Sequence, residues 1–193
     1  MPALDLHLEM AQAYGRDMLA AQLTPEAVVQ KARASSTPLR TFIELLDTIS
    51  GYKEDPLRKK SGLLVLILNQ RPEAFLHFGS DEQVEPVIDY HLMRSCLRVG
   101  LIDVLDNGLK TKLMNRQVIS PDEEWAVRYA AYRAIEQVVT VSGKSTGAVD
   151  WFFFGARKRC PEMSEPECNL CQIDSVCAHR KELFQPVLRT TFY

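Results

Sequence analysis

Four cysteines near the end of the chain, Cys160, Cys168, Cys171 and Cys177, carry the clearest chemistry in this sequence. They fall within 18 residues in the pattern Cys-x7-Cys-x2-Cys-x5-Cys. Thiolates at that density are the usual ligands of structural zinc and of iron–sulfur clusters. Zinc sites commonly grip the ion with two Cys-x2-Cys knuckles, and only Cys168 and Cys171 have that spacing. The longer gaps on either side suit a loop wrapped around a larger, cube-shaped object. A [4Fe–4S] cluster is therefore the expected cofactor, with zinc as the alternative occupant. The N-terminal MPALDLHLEM is acidic and amphipathic with no basic stretch, so no secretory leader is read. A reducing, cytoplasmic compartment is expected, where clustered thiols hold metal rather than pair as disulfides. Cys96 stands apart in a helical pattern.

Two further groups stand at helix starts. Asp89, in Pro86-Val87-Ile88-Asp89-Tyr90-His91-Leu92-Met93-Arg94, sits where free N–H groups and the helix dipole favour an ionised carboxylate. It is a candidate catalytic carboxylate or, in the simpler reading, a helix cap. Lys60, in Arg58-Lys59-Lys60-Ser61-Gly62-Leu63, is electrostatically unfavourable at a helix start, which marks it for a task; otherwise it is a solvated amine. Lys59 beside it is a candidate substrate contact. His91 is placed to hydrogen-bond beside Asp89, or is a satisfied structural histidine. Tyr90, Trp151 and Phe152 to Phe154 offer faces on which a base stacks. At helical spacing at least two of the phenylalanines are expected in the core. Arg157, Lys158, Arg159, Arg180 and Lys181 flank the cysteines as phosphate contacts or as a solvated rim. Glu85 is read as a solvated carboxylate ahead of the helix.

The elements that must position these groups read as helices. Leu4, Leu8, Ala11, Tyr14 and Met18 recur at helical spacing, and Thr24-Pro25-Glu26 is an N-cap followed by proline. Residues 38–50 form an amphipathic set stopped by Gly51. Asp55-Pro56 is expected to start a helix through LLVLIL, apolar on most sides and hence central. Ile88, Leu92, Cys96 and Val99 give the next helix, with Gly100 as its C-cap. Ser120-Pro121-Asp122-Glu123 reads as a capping box opening a long helix with Trp125, Tyr129, Tyr132, Ile135 and Val139 on one face. Residues 147–157 make a last apolar helix running into the cysteine loop. The 193 residues, 46% hydrophobic and 25% charged, are ordinary for a folded domain and exclude a disordered chain. The aliphatic run Leu63–Leu68 is far short of the roughly 20 residues of a membrane span, so no membrane partner is expected. Net charge −2 and pI 6.1 leave room for a local basic patch or a small substrate, but not for bulk polyanion binding. The expected class is all-α, with a helical domain over 1–159 and a metal loop and tail over 160–193.

On these motifs the chain resembles the endonuclease III and adenine glycosylase branch of the helix-hairpin-helix DNA glycosylases. That branch carries Cys-x6-Cys-x2-Cys-x5-Cys at the same C-terminal place, and the first gap here is one residue longer. The Asp89 segment is similar to its V-D-x-H-x-x-R, where the aspartate is catalytic. The Lys60 segment resembles its G-x-K-T-A-x-x-V-L, where a lysine attacks C1′ to form a Schiff base. The hairpin glycines are replaced by Asp55-Pro56-Leu57, and the spacing from Lys60 to Asp89 is nearer that of archaeal 8-oxoguanine glycosylases. KKSGLLVL, IDYHLMRSCLRVGLI, SPDEEWAVRYAAYRAIE and VDWFFF are also similar to the queuosine 5′-phosphate N-glycosylases of queuine salvage. Those act on a small nucleotide and lack the cysteine loop.

The resemblance implies a glycosylase-like helical fold and an N-glycosylase releasing a damaged or modified base from DNA, with or without an added lyase activity. In that reading Asp89 stabilises the oxocarbenium charge developing at C1′, Lys60 is the lyase nucleophile, and Lys59, Tyr90, His91 and Trp151 contact substrate. The alternatives are an N-glycosidase on a modified mononucleotide and a non-catalytic iron–sulfur module that binds nucleic acid. The partner is DNA with an altered base or a modified nucleotide, and a monomer is expected.

Overall fold

The computed structural model describes residues 4–193; Met1–Ala3, the start of the segment inspected for a leader, lie outside the described residues. Among the described residues the backbone forms eight α-helices and no strand, with one isolated parallel bridge between Val118 and Val187. The all-α expectation holds at that level. None of these helices is long and apolar enough to cross a membrane. The chain groups into two compact units, one of the described residues through Val87 with Thr190–Tyr193, the other Ile88–Arg189.

The first unit holds α1 (Leu4–Ala20), α2 (Pro25–Arg33), α3 (Pro38–Leu46) and α4 (Lys59–Gln70). Thr24 caps α2 as expected, its hydroxyl accepting from the Ala27 N–H at 3.1 Å. Phe42, Ile49, Val65 and Leu76 anchor the buried core. Asp17 ties α1 to the turn after α3: one carboxylate oxygen accepts from the Ser50 N–H (2.8 Å), the Ser50 hydroxyl (2.6 Å) and Lys53 Nζ (2.7 Å). Those donors hold the Asp17 carboxyl well below the ordinary carboxylate range.

Two expectations about this unit are corrected. Residues 38–50 do not make one helix up to Gly51: α3 ends at Leu46 and turns follow. The helix expected from Asp55-Pro56 begins four residues later, at Lys59. The buried Asp55 carboxylate turns back on the chain, accepting from the Leu57 N–H at 3.1 Å and the Lys59 N–H at 2.8 Å. Arg58 then adopts a left-handed conformation (φ 50°) before the helix starts. Helix α4 buries Ser61, Gly62 and Val65, the last in the core, and leaves Ile67 exposed.

The second unit holds α5 (Tyr90–Val99), α6 (Asn107–Met114), α7 (Pro121–Ser142) and α8 (Thr146–Ala156), followed by the cysteine loop with short 3-10 turns at Cys168–Leu170 and Asp174–Val176. Helices α5, α7 and α8 pack pairwise. The capping box at Ser120 and Glu123 is present in both directions. The buried face of α7, however, is Glu124, Val127, Arg128, Ala131 and Ile135. Trp125 (39% exposed) and Tyr129 (45% exposed) lie outside it, stacked on each other at 5.5 Å, with Tyr132 next in line at 6.1 Å from Tyr129. The long charged side chains win the interior because they find partners there: Arg128 Nε donates to the Ile88 carbonyl at 3.3 Å. In α8 only Phe153 of the three phenylalanines is buried, against the two expected in the core.

Candidate functional site

The C-terminal end of α5 and the cysteine loop are built against each other. The left-handed Gly100 (φ 89°) ends α5, and its missing side chain matters twice. A Cβ there would lie 2.7 Å from the Ala178 Cβ, so glycine admits both the turn and the loop. The loop then donates to the last carbonyls of the helix, from Ala178 N–H to Val99 O at 2.9 Å and from Arg180 N–H to Arg98 O at 3.0 Å. The seven-residue gap after Cys160 is closed by the Glu167 N–H donating to Arg159 O at 2.8 Å and by an Arg159–Glu167 ion pair. The other gaps are consecutive turns, Cys171 N–H to Cys168 O and Cys177 N–H to Asp174 O.

All four thiols line one cavity of about 40 Å³, walled on the helix side by Arg98, Val99 and Phe153. A single water needs about 10–15 Å³, so the cavity has room for a species larger than one water. Tetrahedral zinc with Zn–S near 2.3 Å would bring its sulfurs within about 3.8 Å of one another. The side chains whose ligand atoms do come within 4.8 Å of one another are Cys168, Asp174 and His179. That mixed set could hold a metal ion. It was not anticipated from sequence, because Asp174 and His179 meet only once two turns fold; His179 Nε2 and Asp174 Oδ1 are then 2.7 Å apart. Burial, and the other three thiols close by, push the Cys177 thiol up. Four uncompensated thiolates are thus unfavourable here, and a bound cation relieves the repulsion. Cys96 is buried outside this set, and burial pushes its thiol up to about 12.

Arg98 faces the sulfurs from α5. It is buried, with Nε donating to Leu183 O at 2.9 Å and Nη1 to Pro161 O at 2.7 Å and to Cys160 Sγ at 3.4 Å. One turn earlier the buried Arg94 donates to Gln185 Oε1 at 3.1 Å, meets His91 Nδ1 at 3.2 Å and pairs with Glu162 at 3.7 Å. Sequence reasoning missed both as interior groups. Their i, i+4 spacing puts them on one face of α5, and nothing local to the chain marks that face as buried.

At the opposite end of the same helix Asp89 is the N-cap, its Oδ1 accepting from the Leu92 N–H at 2.9 Å. Arg128 on the Ile88 carbonyl fixes the residue just before it. Tyr90 and His91 follow, their rings 4.0 Å apart. Burial lowers the His91 pKa, Asp89 opposes that, and Arg94 and Arg157 add to it. The ring is therefore neutral at pH 7 and accepts from one of its two flanking arginines. Arg157 Nη1 stands 3.5 Å from Nε2, and its guanidinium carbon lies 3.8 Å over the Phe154 ring. Phe154 stacks with Trp151 at 5.7 Å. Structure thus brings Tyr90, His91 and Trp151 onto one connected run of side chains in the second unit, with Asp89 the residue before Tyr90.

Lys59 and Lys60 belong to the first unit, on the opening turn of α4. Lys60 lines a 250 Å³ pocket with His7, Met10, Thr190, Thr191 and Tyr193, its Nζ 3.6 Å from Met10 Sδ. Burial lowers its pKa, while Glu54 and Asp55 pull the other way. Glu85 lines a larger cavity of 490 Å³ with Arg40, Glu44 and Arg58. Compared with family models, curated proteins and solved structures, the chain matches none of them.

Proposed function

We propose that this protein is an N-glycosylase that releases a damaged or modified base from a nucleic acid. The observation that carries this reading is the use of one helix: Asp89 caps the start of α5, and the four-cysteine loop seals its end. In the reaction the N-glycosidic bond breaks with its electron pair leaving on the base, and positive charge grows at C1′. A preorganised carboxylate there stabilises the charge and takes the proton of the water that adds to C1′. Tyr90 and His91 follow Asp89 on α5, and the neutral His91 adds no competing positive charge. Lys60 is the nucleophile if the enzyme is also a lyase, its amine displacing the base from C1′ as an imine precursor.

Cys160, Cys168, Cys171 and Cys177 are assigned to a [4Fe–4S] cluster, with zinc as the alternative. When bound, the group is a structural staple whose binding energy is also folding energy for the loop and the end of α5. A specific observation disfavours a duplex gripped through a hairpin and leaves single-stranded and small substrates open. The Asp55 carboxylate already occupies the Leu57 and Lys59 N–H groups, the backbone donors that a hairpin would turn toward a phosphate. Single-turnover base release on damaged duplexes, single strands and modified mononucleotides tests the reading. Asp89→Asn should lose about a hundredfold or more in rate. Full activity in that variant, on a substrate the wild type cleaves, overturns the assignment, and no cleavage of any substrate leaves a nucleic-acid-binding module.

A further inference from the structure

Trp151 is 71% exposed, an unusual position for an indole in a folded domain. It is not loose. Its ring is backed by Phe154 at 5.7 Å and 21°, Phe154 is backed by the Arg157 guanidinium at 3.8 Å, and Arg157 reaches His91, which meets Tyr90 at 4.0 Å. Tyr90 follows Asp89 directly. Five planar groups thus form one ladder from Trp151 to Tyr90, the first residue of α5 and the one that follows Asp89 in the chain.

Inner members of the ladder have neighbours along it on both sides, whereas Trp151 at the outer end presents an open ring. Its backing fixes the ring before any ligand arrives, so little side-chain entropy is lost on stacking. Asp150 directly precedes the ring, and Arg157, Lys158 and Arg159 follow the helix; Arg159 is paired with Glu167, while Lys158 is exposed. Arg157 Nε has no hydrogen-bond partner among the described residues. A planar group carried on a polyanion is complementary to both features. Trp151 and Arg157 are separated by six residues of helix, about 9 Å along the axis, with His91 and Tyr90 still to follow. A base stacked on Trp151 therefore belongs to a different nucleotide from the one at Asp89.

We propose that Trp151 is a stacking platform for an unpaired base of a single-stranded or locally splayed nucleic acid, one that neighbours the nucleotide held at Asp89. This rests on the N-glycosylase reading and narrows it, making the substrate a chain of linked nucleotides rather than a free mononucleotide.

The test uses the full-length protein in the Trp125→Phe background, which leaves Trp151 as the single tryptophan. Adding a short oligothymidylate should quench Trp151 fluorescence at concentrations where thymidine monophosphate does not. Trp151→Ala should weaken oligothymidylate binding by about tenfold or more, and Trp151→Phe should restore most of it. Equal oligothymidylate affinity in wild type and Trp151→Ala overturns the proposal. So does quenching by anionic phosphatidylserine vesicles without any response to oligothymidylate, which would make the platform a lipid contact. Self-association that disappears in Trp151→Ala, again without oligonucleotide binding, overturns it in favour of a second copy. The two readings fail separately. Trp151-dependent binding without base release removes the glycosylase, whereas mononucleotide cleavage indifferent to Trp151 removes the platform.

Discussion

The Arg98 guanidinium donates to the Cys160 sulfur at 3.4 Å from a helix whose other end is capped by Asp89. Arg98 also satisfies two loop carbonyls, those of Pro161 and Leu183. Removing it leaves buried acceptors unpaired and withdraws positive charge from the thiols. Arg98→Gln should therefore cost about 3 kcal/mol in unfolding free energy and lower the metal content of the purified protein. Arg98→Lys should fall between, because an ammonium keeps the charge but not the planar fork. Metal analysis and denaturant unfolding check both, and an Arg98→Gln protein with wild-type metal content would show that the contact is incidental.

Cys168→Ser and Cys171→Ser should each lose bound metal and destabilise the C-terminal loop, while Cys96→Ala should retain it. Cys96 is buried away from the loop, and its thiol stays protonated across the physiological range. Anaerobic purification with iron, sulfide and zinc analysis decides the occupant. Stoichiometric iron and sulfide, with a broad absorbance near about 400 nm, is the expected result. Stoichiometric zinc alone would instead point to a compact site such as Cys168, Asp174 and His179.

Helix boundaries with a local cause were legible in the sequence, and burial with a tertiary cause was not. Thr24, Ser120 and Gly100 act through one turn of chain, and the structure has each as read. The cysteine spacing likewise pointed to a shared site because a loop brings its own residues together. On α7 the sequence places Trp125, Tyr129 and Tyr132 on one face, and they do stack in line, but the buried face is a different one. Glu124 and Arg128 take the interior, Arg128 because the carbonyl of Ile88, forty residues away in the chain, receives it. The start of α4 was misplaced for a related reason. Asp55-Pro56 looks like a cap followed at once by its helix, but the Asp55 carboxylate accepts from the Leu57 N–H of an intervening turn as well as from the Lys59 N–H where α4 begins.

Gly100→Ala tests how tightly the loop is docked. The residue sits at φ 89°, and its new methyl would meet Ala178 at 2.7 Å. Strain at positive φ alone should cost about 1 kcal/mol, and the collision should push the loop from the end of α5. Thermal unfolding should drop, and metal should exchange faster to a chelator. Adding Ala178→Gly should recover the chelator resistance while leaving the backbone strain, which separates the two causes.

His91 sets a pH dependence of stability. Burial lowers its folded pKa, so between that value and the ordinary imidazole value of about 6.5 the unfolded chain binds more protons. Stability should therefore be unaffected by this residue above about pH 6.5 and should fall as the pH drops through that window. His91→Gln keeps an acceptor for an arginine but cannot titrate. Unfolding free energies measured from neutral to mildly acid pH should fall less steeply in the variant, and parallel curves would mean that His91 does not couple to folding.

Asp89 has two separable duties, and paired substitutions distinguish them. Asp89→Asn retains an oxygen that accepts from the Leu92 N–H, so stability should change by less than about 1 kcal/mol. Asp89→Ala removes the cap as well and should cost about 1 kcal/mol more. If the carboxylate only caps the helix, the two variants should differ in stability and neither should change base release. If its charge stabilises the developing cation, both should lose about a hundredfold or more in single-turnover rate despite their different stabilities. Lys60→Gln provides the contrast within the same assay. It should abolish any borohydride-trapped adduct, because only an amine forms the imine, and it should leave base release intact if water attacks C1′. A Lys60→Gln protein that releases no base would make the amine the nucleophile of the first step. A Lys60→Gln protein that is still trapped would move the adduct to another amine, and with it the role assigned to the opening turn of α4.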